Sequence, residues 1–268
     1  MESAPIFTTL ITTTDYAPGV VCLAQSLVLV KSTAVIHCWV TSAEVEDAIL
    51  QADRLPNNIV IKHLPNETVD TFFRSAADID QSLFIDAPRR SLFKMGEPFI
   101  FLDADMICLH NIDDLFDLLK REKSVDWVPG TVYAVPNFRN KKKSYNDGTG
   151  NFNAGLMVMP DPQPEDYAMM TRMLAAGYND TEEKLLNDIF KGRWIPLPIA
   201  YNCQKRCFRL APPLWNELRA SGIYVMHYVG GKPWQDEAQL EKTDWEKGKA
   251  YEALFEVWHR IRRGHIQL

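Results

Sequence analysis

Three β-rich runs, Ile6–Thr12, Ala34–Thr41 and Asn58–Leu64, are separated by two stretches of helical character, and this order constrains the fold more than any other feature of the chain. Parallel strands need a crossover of a dozen or more residues, which a helix supplies; a hairpin needs only a tight turn. The first helical stretch, APGVVCLAQSLVLVKS, offers an apolar face at Val21, Ala24, Leu27, Val28 and Val30. The second, SAEVEDAILQADRL, opens on Ser42, a helix-capping residue, followed by acidic side chains that suit the positive end of a helix. The order strand–helix–strand–helix–strand predicts a parallel sheet with right-handed crossovers. Ligands of such sheets sit outside the carboxyl ends of the strands. Any chemistry-bearing residue just after a strand is therefore a candidate site residue.

Further strands are expected at Pro98–Asp103, Val125–Ala134, Phe152–Met159 and Tyr224–Val229, several of them apolar on both parities, as strands covered on both faces are. DPQPEDYAMMTRMLAAG and TEEKLLNDIFKG read as helices closed by Gly177 and Gly192. DWEKGKAYEALFEVWHRIRRG reads as an amphipathic helix with Trp245, Tyr251, Leu254, Val257, Trp258 and Ile261 toward the core. WIPLPIAYN is expected to be extended and irregular. The polar stretch 139–151, with Lys141, Lys142 and Lys143 in a row, reads as a solvated loop or, alternatively, an acceptor-contacting flap. No internal repeat or flexible linker stands out, so residues 1–268 are expected to form one α/β domain with a mixed, mostly parallel central sheet flanked by helices.

Net charge is −6, which speaks against a nucleic-acid binder but not against small phosphate-bearing ligands, which need only local positive charge. No apolar run approaches the roughly 18 residues of a transmembrane helix, and MESAPIFTTLITTT lacks the basic start and long apolar segment of a signal peptide. The five cysteines (Cys22, Cys38, Cys108, Cys203, Cys207) lie mostly in apolar runs, as reduced core thiols do. Cys203 and Cys207 would need two further ligands to hold zinc. The sequons at Asn66 and Asn179 are read as chance matches. A cytoplasmic location is the expectation, and a homodimer is an assembly open to such a chain.

The segment FIFLDADM places two carboxylates, Asp103 and Asp105, directly after an apolar run. Two apart on a strand, both would face one side and repel unless a hard divalent cation lay between them. Mn²⁺ and Mg²⁺ favour oxygen ligands of this kind and the phosphate oxygens of a substrate. The blander reading is a pair of surface aspartates capping a turn. YVMHYVGGKPW adds His227, which can complete a metal site, Gly230 and Gly231, which allow close backbone approach to a phosphate, and Lys232, a point charge. His227 alone reads as a core histidine; with Gly-Gly-Lys beside it and the aspartate pair, it reads as part of a metal–diphosphate clamp.

Five stretches in order, TLITTTDYAPGVVCLAQSL, FIFLDADMICLHNIDDLF, FNAGLMVMP, LLNDIFKGRWIPLPIAYN and HYVGGKPW, make the chain resemble the glycogenin-like, retaining glycosyltransferases of family eight, which also include the galactinol synthases. The resemblance implies a Rossmann-like GT-A fold and transfer of a hexose, glucose or galactose, from a UDP-sugar to an acceptor hydroxyl. By that resemblance Asp103, Asp105 and His227 would hold Mn²⁺, with Mg²⁺ as the alternative, against the donor's diphosphate. Leu10, Thr12, Thr13 and Tyr16 match the segment that binds the nucleoside, the tyrosine ring stacking on uracil. Ala104 would meet the ribose through its backbone, Asn153 and Gly155 would line the sugar and acceptor pocket, and Gly230 and Lys232 would hold the diphosphate.

Three departures from the family pattern bear on the site. Glu182 and Glu183 stand where Asp-Gln is usual, which adds a negative charge. The clamp is one residue shorter between His227 and the lysine. Asp86 occupies the place of the usual basic residue upstream of the aspartate pair, leaving Arg89 or Arg90 to fill that role. Glu182 and Glu183 are the expected catalytic carboxylates, with Glu182 orienting the sugar or stabilising an oxocarbenium-like carbon. The acceptor stays open among polyols, glycans, lipids and small natural products. The alternatives are a decayed UDP-sugar-binding protein, a self-glucosylating initiator of the glycogenin type, and a phosphatase or nucleotidyltransferase that uses the aspartates alone.

Overall fold

The computed structural model describes residues 4–64, 89–120, 127–139, 142–145, 150–236, 240 and 248–265. The first half runs β1 (Ile6–Ile11), α1 (Ala17–Leu29), β2 (Val35–Val40), α2 (Ala43–Leu50), β3 (Ile59–His63), α3 (Arg90–Lys94), β4 (Phe99–Leu102), β5 (Met106–Cys108) and α4 (Phe116–Lys120). Next come β6 (Val132–Pro136), β7 (Phe138–Arg139), β8 (Ser144–Tyr145), β9 (Phe152–Met159), α5 (Pro164–Ala175) and α6 (Glu182–Ile189). The last part holds β10 (Trp194–Pro196), β11 (Cys203–Gln204), α7 (Arg206–Leu210), α8 (Pro212–Ser221), β12 (Val225–His227) and α9 (Glu252–Arg262).

The large sheet has the order β10-β6-β9-β4-β1-β2-β3, and β9 alone runs against the other strands in it. The expected parallel half, β4-β1-β2-β3, is therefore present, and the sheet is mixed. The chain passes from β1 to β2 to β3 on one side, then returns to lay β4 on the other side of β1. That reversal makes a switch point at the carboxyl ends of β1 and β4, where a ligand crevice opens.

Alternation along the strands sends side chains to two cores. Ile100 and Leu102 join α1, α2 and α4 on one face, whereas Phe99 and Phe101 join α3, α5 and α6 on the other. A second sheet, β11-β12-β5, packs against α1, α8 and α9 and builds a third cluster. Helix α1 lies between the two sheets, so it is buried around most of its circumference: Val20, Leu23 and Cys22 are covered as fully as Val21, Ala24 and Leu27. Val28, read from sequence as core-facing, is 48% exposed. At the C-terminal helix Phe255 takes the buried place expected of Val257, while Tyr251, Leu254, Trp258 and Ile261 are buried as expected.

Several local expectations are met and others shift. Ser42 caps α2, its Oγ accepting from Val45 N at 3.4 Å. WIPLPIAYN is not wholly irregular: Trp194–Pro196 forms an edge strand parallel to β6, where proline costs no ladder bond, and Ile199–Asn202 is a 3₁₀ turn. β4 ends at Leu102, so Asp103 is not in the strand; Met106 N donates to Asp103 O in a tight turn that swings the chain into β5 of the second sheet. Asn66, Trp245, Lys141 and the first residues of the Val125–Ala134 run lie outside the described residues. All five cysteines are free and buried, and no described helix is long and apolar enough to cross a membrane.

Candidate active site

The antiparallel pairing of β5 with β12 is what joins Asp105 to His227. His227 is the register partner of Met106, and Tyr228 N donates to Asp105 O at 3.0 Å, so the imidazole stands beside the aspartate turn although 122 residues separate them in sequence. His227 Nε2 lies 3.2 Å from Asp105 Oδ1 and 3.7 Å from Asp103 Oδ2. Ligand atoms from Asp103, Asp105 and His227 all fall within 4.8 Å of one another. A turn, rather than a strand, aims both carboxylates at one point.

Lys232 completes this corner. Its Nζ pairs with Asp105 Oδ2, donates to Tyr228 O at 3.1 Å and stands 5.6 Å from the centre of the Tyr16 ring. Burial pushes the Asp105 carboxyl up, but Lys232 and His227 outweigh burial and hold it well below the usual carboxylate range. Burial likewise opposes charge on Lys232, and Asp105 reverses that, raising its pKa. Tyr16 closes a 3₁₀ turn after β1; burial lifts its hydroxyl to about 12, and its ring meets Trp234 edge-on at 5.9 Å.

The far wall is made by β9 and α6. The pairing of β6 with β9 jumps from Ala134↔Met157 to Val135↔Asn153, a bulge that takes residues 154–156 out of the β6 ladder. The bulge turns Asn153 inward, where its Nδ2 donates to Glu183 Oε2 at 2.7 Å. Thr181 caps α6 by accepting from Lys184 N at 3.3 Å, which sets Glu182 and Glu183 in the first turn, their favoured end of a helix. Glu183 also accepts from Asn137 Nδ2 at 2.6 Å and Ala154 N at 3.3 Å, and burial raises its pKa. Glu182 turns the other way and pairs with Arg89 Nε at 2.6 Å. Arg89 in turn donates to Ala154 O at 3.0 Å, lies 3.5 Å from Asp103 and rests 5.0 Å over Phe101.

The cleft bounded by these groups is lined by Leu10, Thr12, Tyr16, Arg89, Asp103, Ala104, Asp105, Asn153, Glu183, His227 and Lys232, all expected from sequence, together with Ile11, Phe101 and Val229, which were not. Five expected residues stand elsewhere. Glu182 sits behind Arg89. Thr13 stands just before the 3₁₀ turn, without capping it through its side chain, and its hydroxyl donates to Asp15. Gly155 packs behind His227, where a Cβ would come within 2.5 Å of its ring. Gly230 forms a positive-φ turn before Lys232, with no atom within 4 Å of where its Cβ would be. Arg90 is buried in α3, and burial lowers its pKa despite the nearby Tyr167 and Glu182. Of the two arginines, Arg89 is thus the one at the cleft. Asp86 lies outside the described residues. Sequence reasoning also missed Asn202, whose Oδ1 meets His227 Nδ1 at 2.9 Å. Its only signal was its place at the end of IAYN, just before β11, which runs alongside β12.

The mixed, mostly parallel sheet flanked by helices is a GT-A fold, with a carboxylate pair at its switch point, an imidazole brought in from a second sheet and a lysine beside them. The family described as "Glycosyl transferase family 8" matches residues 7–238, and the chain belongs to it. Glycogenin-1 of Caenorhabditis elegans is 24% identical over 96% of this chain and 55% of its own length. Galactinol synthase 4 of Arabidopsis thaliana is 25% identical over 86% of this chain and 74% of its own. The chain thus spans about half of the first of these relatives. A solved galactosyltransferase, LgtC, in complex with donor and acceptor sugar analogues, superposes with a TM-score of 0.61 over 98% of this chain and 97% of that one at 19% identity, a likeness of fold.

Proposed function

We propose that the protein transfers a hexose, glucose or galactose, from a UDP-sugar to an acceptor hydroxyl with retention of configuration, and that the transfer depends on Mn²⁺. The observation that carries this reading is the convergence of Asp103, Asp105 and His227 at the switch point, with Lys232 beside Asp105. Two carboxylates and an imidazole on a common point suit Mn²⁺, which takes both oxygen and nitrogen ligands; Mg²⁺ is the alternative. The bound cation would neutralise charge on the departing diphosphate, as divalent ions do in group transfer.

The chain's own residues supply the rest. Tyr16 offers its ring to uracil, with Leu10 and Thr12 beside it, and Ala104 offers its backbone to the ribose. Lys232, reached through the Gly230 turn, supplies a fixed charge for the diphosphate, preorganised stabilisation that needs no rearrangement during reaction. Asn153, Glu183 and Arg89 face the space left for the sugar, and Glu182 positions Arg89. Of the two glutamates, Glu183 therefore takes the role facing the anomeric carbon. Its two oxygens are already engaged by Asn137, Asn153 and the Ala154 amide, which suits a fixed negative charge better than an attacking nucleophile. Same-face attack by the acceptor, guided by the departing phosphate, follows as the mechanism. The glycogenin and galactinol synthase relatives support a glucose or galactose donor. The acceptor class is a polyol, glycan, lipid or small natural product. A cytoplasmic, single-domain enzyme is consistent with five reduced, buried thiols.

The test is UDP release from UDP-glucose and UDP-galactose with and without Mn²⁺, followed by candidate acceptors. Mn²⁺-dependent release that falls in Glu183→Gln supports the reading. Failure of every UDP-sugar to bind in the presence of Mn²⁺ refutes it.

A further inference from the structure

Behind the metal-ligand histidine runs a chain of side-chain amides whose direction starts at the backbone. Gly155 N–H lies 3.1 Å from one atom of the Asn153 amide. A backbone N–H can only donate, so that atom is the oxygen. The same Asn153 oxygen lies 2.8 Å from the Asn202 amide, which must therefore present its NH₂ group there. The Asn202 oxygen is then the atom 2.9 Å from His227 Nδ1, and Nδ1 must carry a hydrogen to meet it. Nε2 is the nitrogen left facing Asp103 and Asp105. At the other end Asn153 spends its NH₂ on Glu183. Asn202 is fully buried, so water offers no substitute for either of its bonds.

We propose that Asn202 is a positioning residue that fixes His227 in the Nδ1–H tautomer and so reserves Nε2 for the cation; the proposal rests on the metal reading of the site given above. A hydrogen-bond partner on the distal nitrogen sets both the tautomer and the ring orientation of a ligating histidine, and its loss typically weakens metal binding by about 10–100-fold. Asn202 does this without contributing charge. The direction of its amide is inherited, through Asn153, from a peptide group of β9.

The experiment pairs Mn²⁺ titration, followed through the electron paramagnetic resonance of the free ion, with ¹⁵N spectra of histidine-labelled, metal-free protein. Asn202→Leu, of similar volume and without an acceptor, is expected to bind Mn²⁺ about 10–100-fold more weakly than wild type. Asn202→Asp keeps the acceptor for His227 Nδ1 while giving up the NH₂ to Asn153, and is expected to bind Mn²⁺ more tightly than the leucine variant. In wild type, His227 Nδ1 should be the protonated nitrogen, and the leucine variant should populate the Nε2–H form. Equal Mn²⁺ affinity in wild type and Asn202→Leu overturns the proposal. So does an unprotonated Nδ1 in wild type, a result that needs no variant to fold. Wild type that binds no Mn²⁺ but shows Nδ1–H removes the metal reading and leaves the hydrogen-bond assignment standing.

Discussion

Gly155→Ala tests the packing of the site with a single methyl group. The ideal Cβ would lie 2.5 Å from His227 Cε1, 2.9 Å from Nδ1 and 2.8 Å from Met106 Cε. Carbon atoms rest at about 3.5 Å or more, so something must yield by about 1 Å. The methionine methyl can swing away. The strand cannot readily follow, because Gly155 O accepts from Asp103 N at 2.8 Å and Gly155 N is bound to Asn153. Gly155 is not among the positive-φ glycines, so alanine adds no backbone strain of its own. The imidazole is left to move, and a cation held there as proposed would tolerate a displacement of only about 0.2 Å in its ligand. Mn²⁺ affinity should fall about 10–100-fold, and overpacking should cost about 1–3 kcal/mol of stability. Titration calorimetry with Mn²⁺ and urea denaturation read the two effects separately. A folded Gly155→Ala protein with wild-type Mn²⁺ affinity would show that the histidine does not depend on the bare backbone behind it.

Glu183→Gln should change how stability responds to pH. Burial raises the folded pKa of Glu183, so the folded state holds its proton more tightly, and wild type loses stability as pH rises above about 4.3, the unfolded value, through the raised folded one. The glutamine variant lacks that loss; urea midpoints measured from just below the unfolded carboxylate value of about 4.3 to near neutrality should diverge in its favour as pH rises, and parallel curves would refute the assignment. Lys232→Met should cut UDP release by roughly 10²-fold, the scale for losing one preorganised charge-stabilising donor, and a change under twofold would remove its role. Tyr16→Ala should weaken UDP binding by about 1–3 kcal/mol if the ring stacks on the base, whereas Tyr16→Phe, which keeps the ring, should bind UDP like wild type. Competition binding with UDP separates the two.

The first half of the sheet was readable because each strand and helix there carries its own signal: β-branched runs between amphipathic stretches, and a serine cap at Ser42. The aspartate pair, Lys232 and His227 were readable from residue type and order. What was not readable came from contacts between distant segments. α1 looks one-sided in sequence because nothing local announces a second sheet on its other side. Glu182 and Glu183 are adjacent and alike, and only the helix start decides that one faces the cleft and the other Arg89. Asn202 gave no sign because its role depends on β11 lying beside β12, a pairing of two residues on each strand.

The bulge in β9 has a further consequence for hydrogen exchange. In most central strands an amide is protected by its neighbour's carbonyl and exchanges only when the sheet opens. At the bulge, Ala154 N–H is held by the Glu183 carboxylate and Gly155 N–H by the Asn153 side chain. Two consecutive amides in the middle of the sheet are thus protected by the walls of the cleft. Their exchange rates report the order of the site itself, and donor binding should slow them while leaving the β1–β2 amides unchanged.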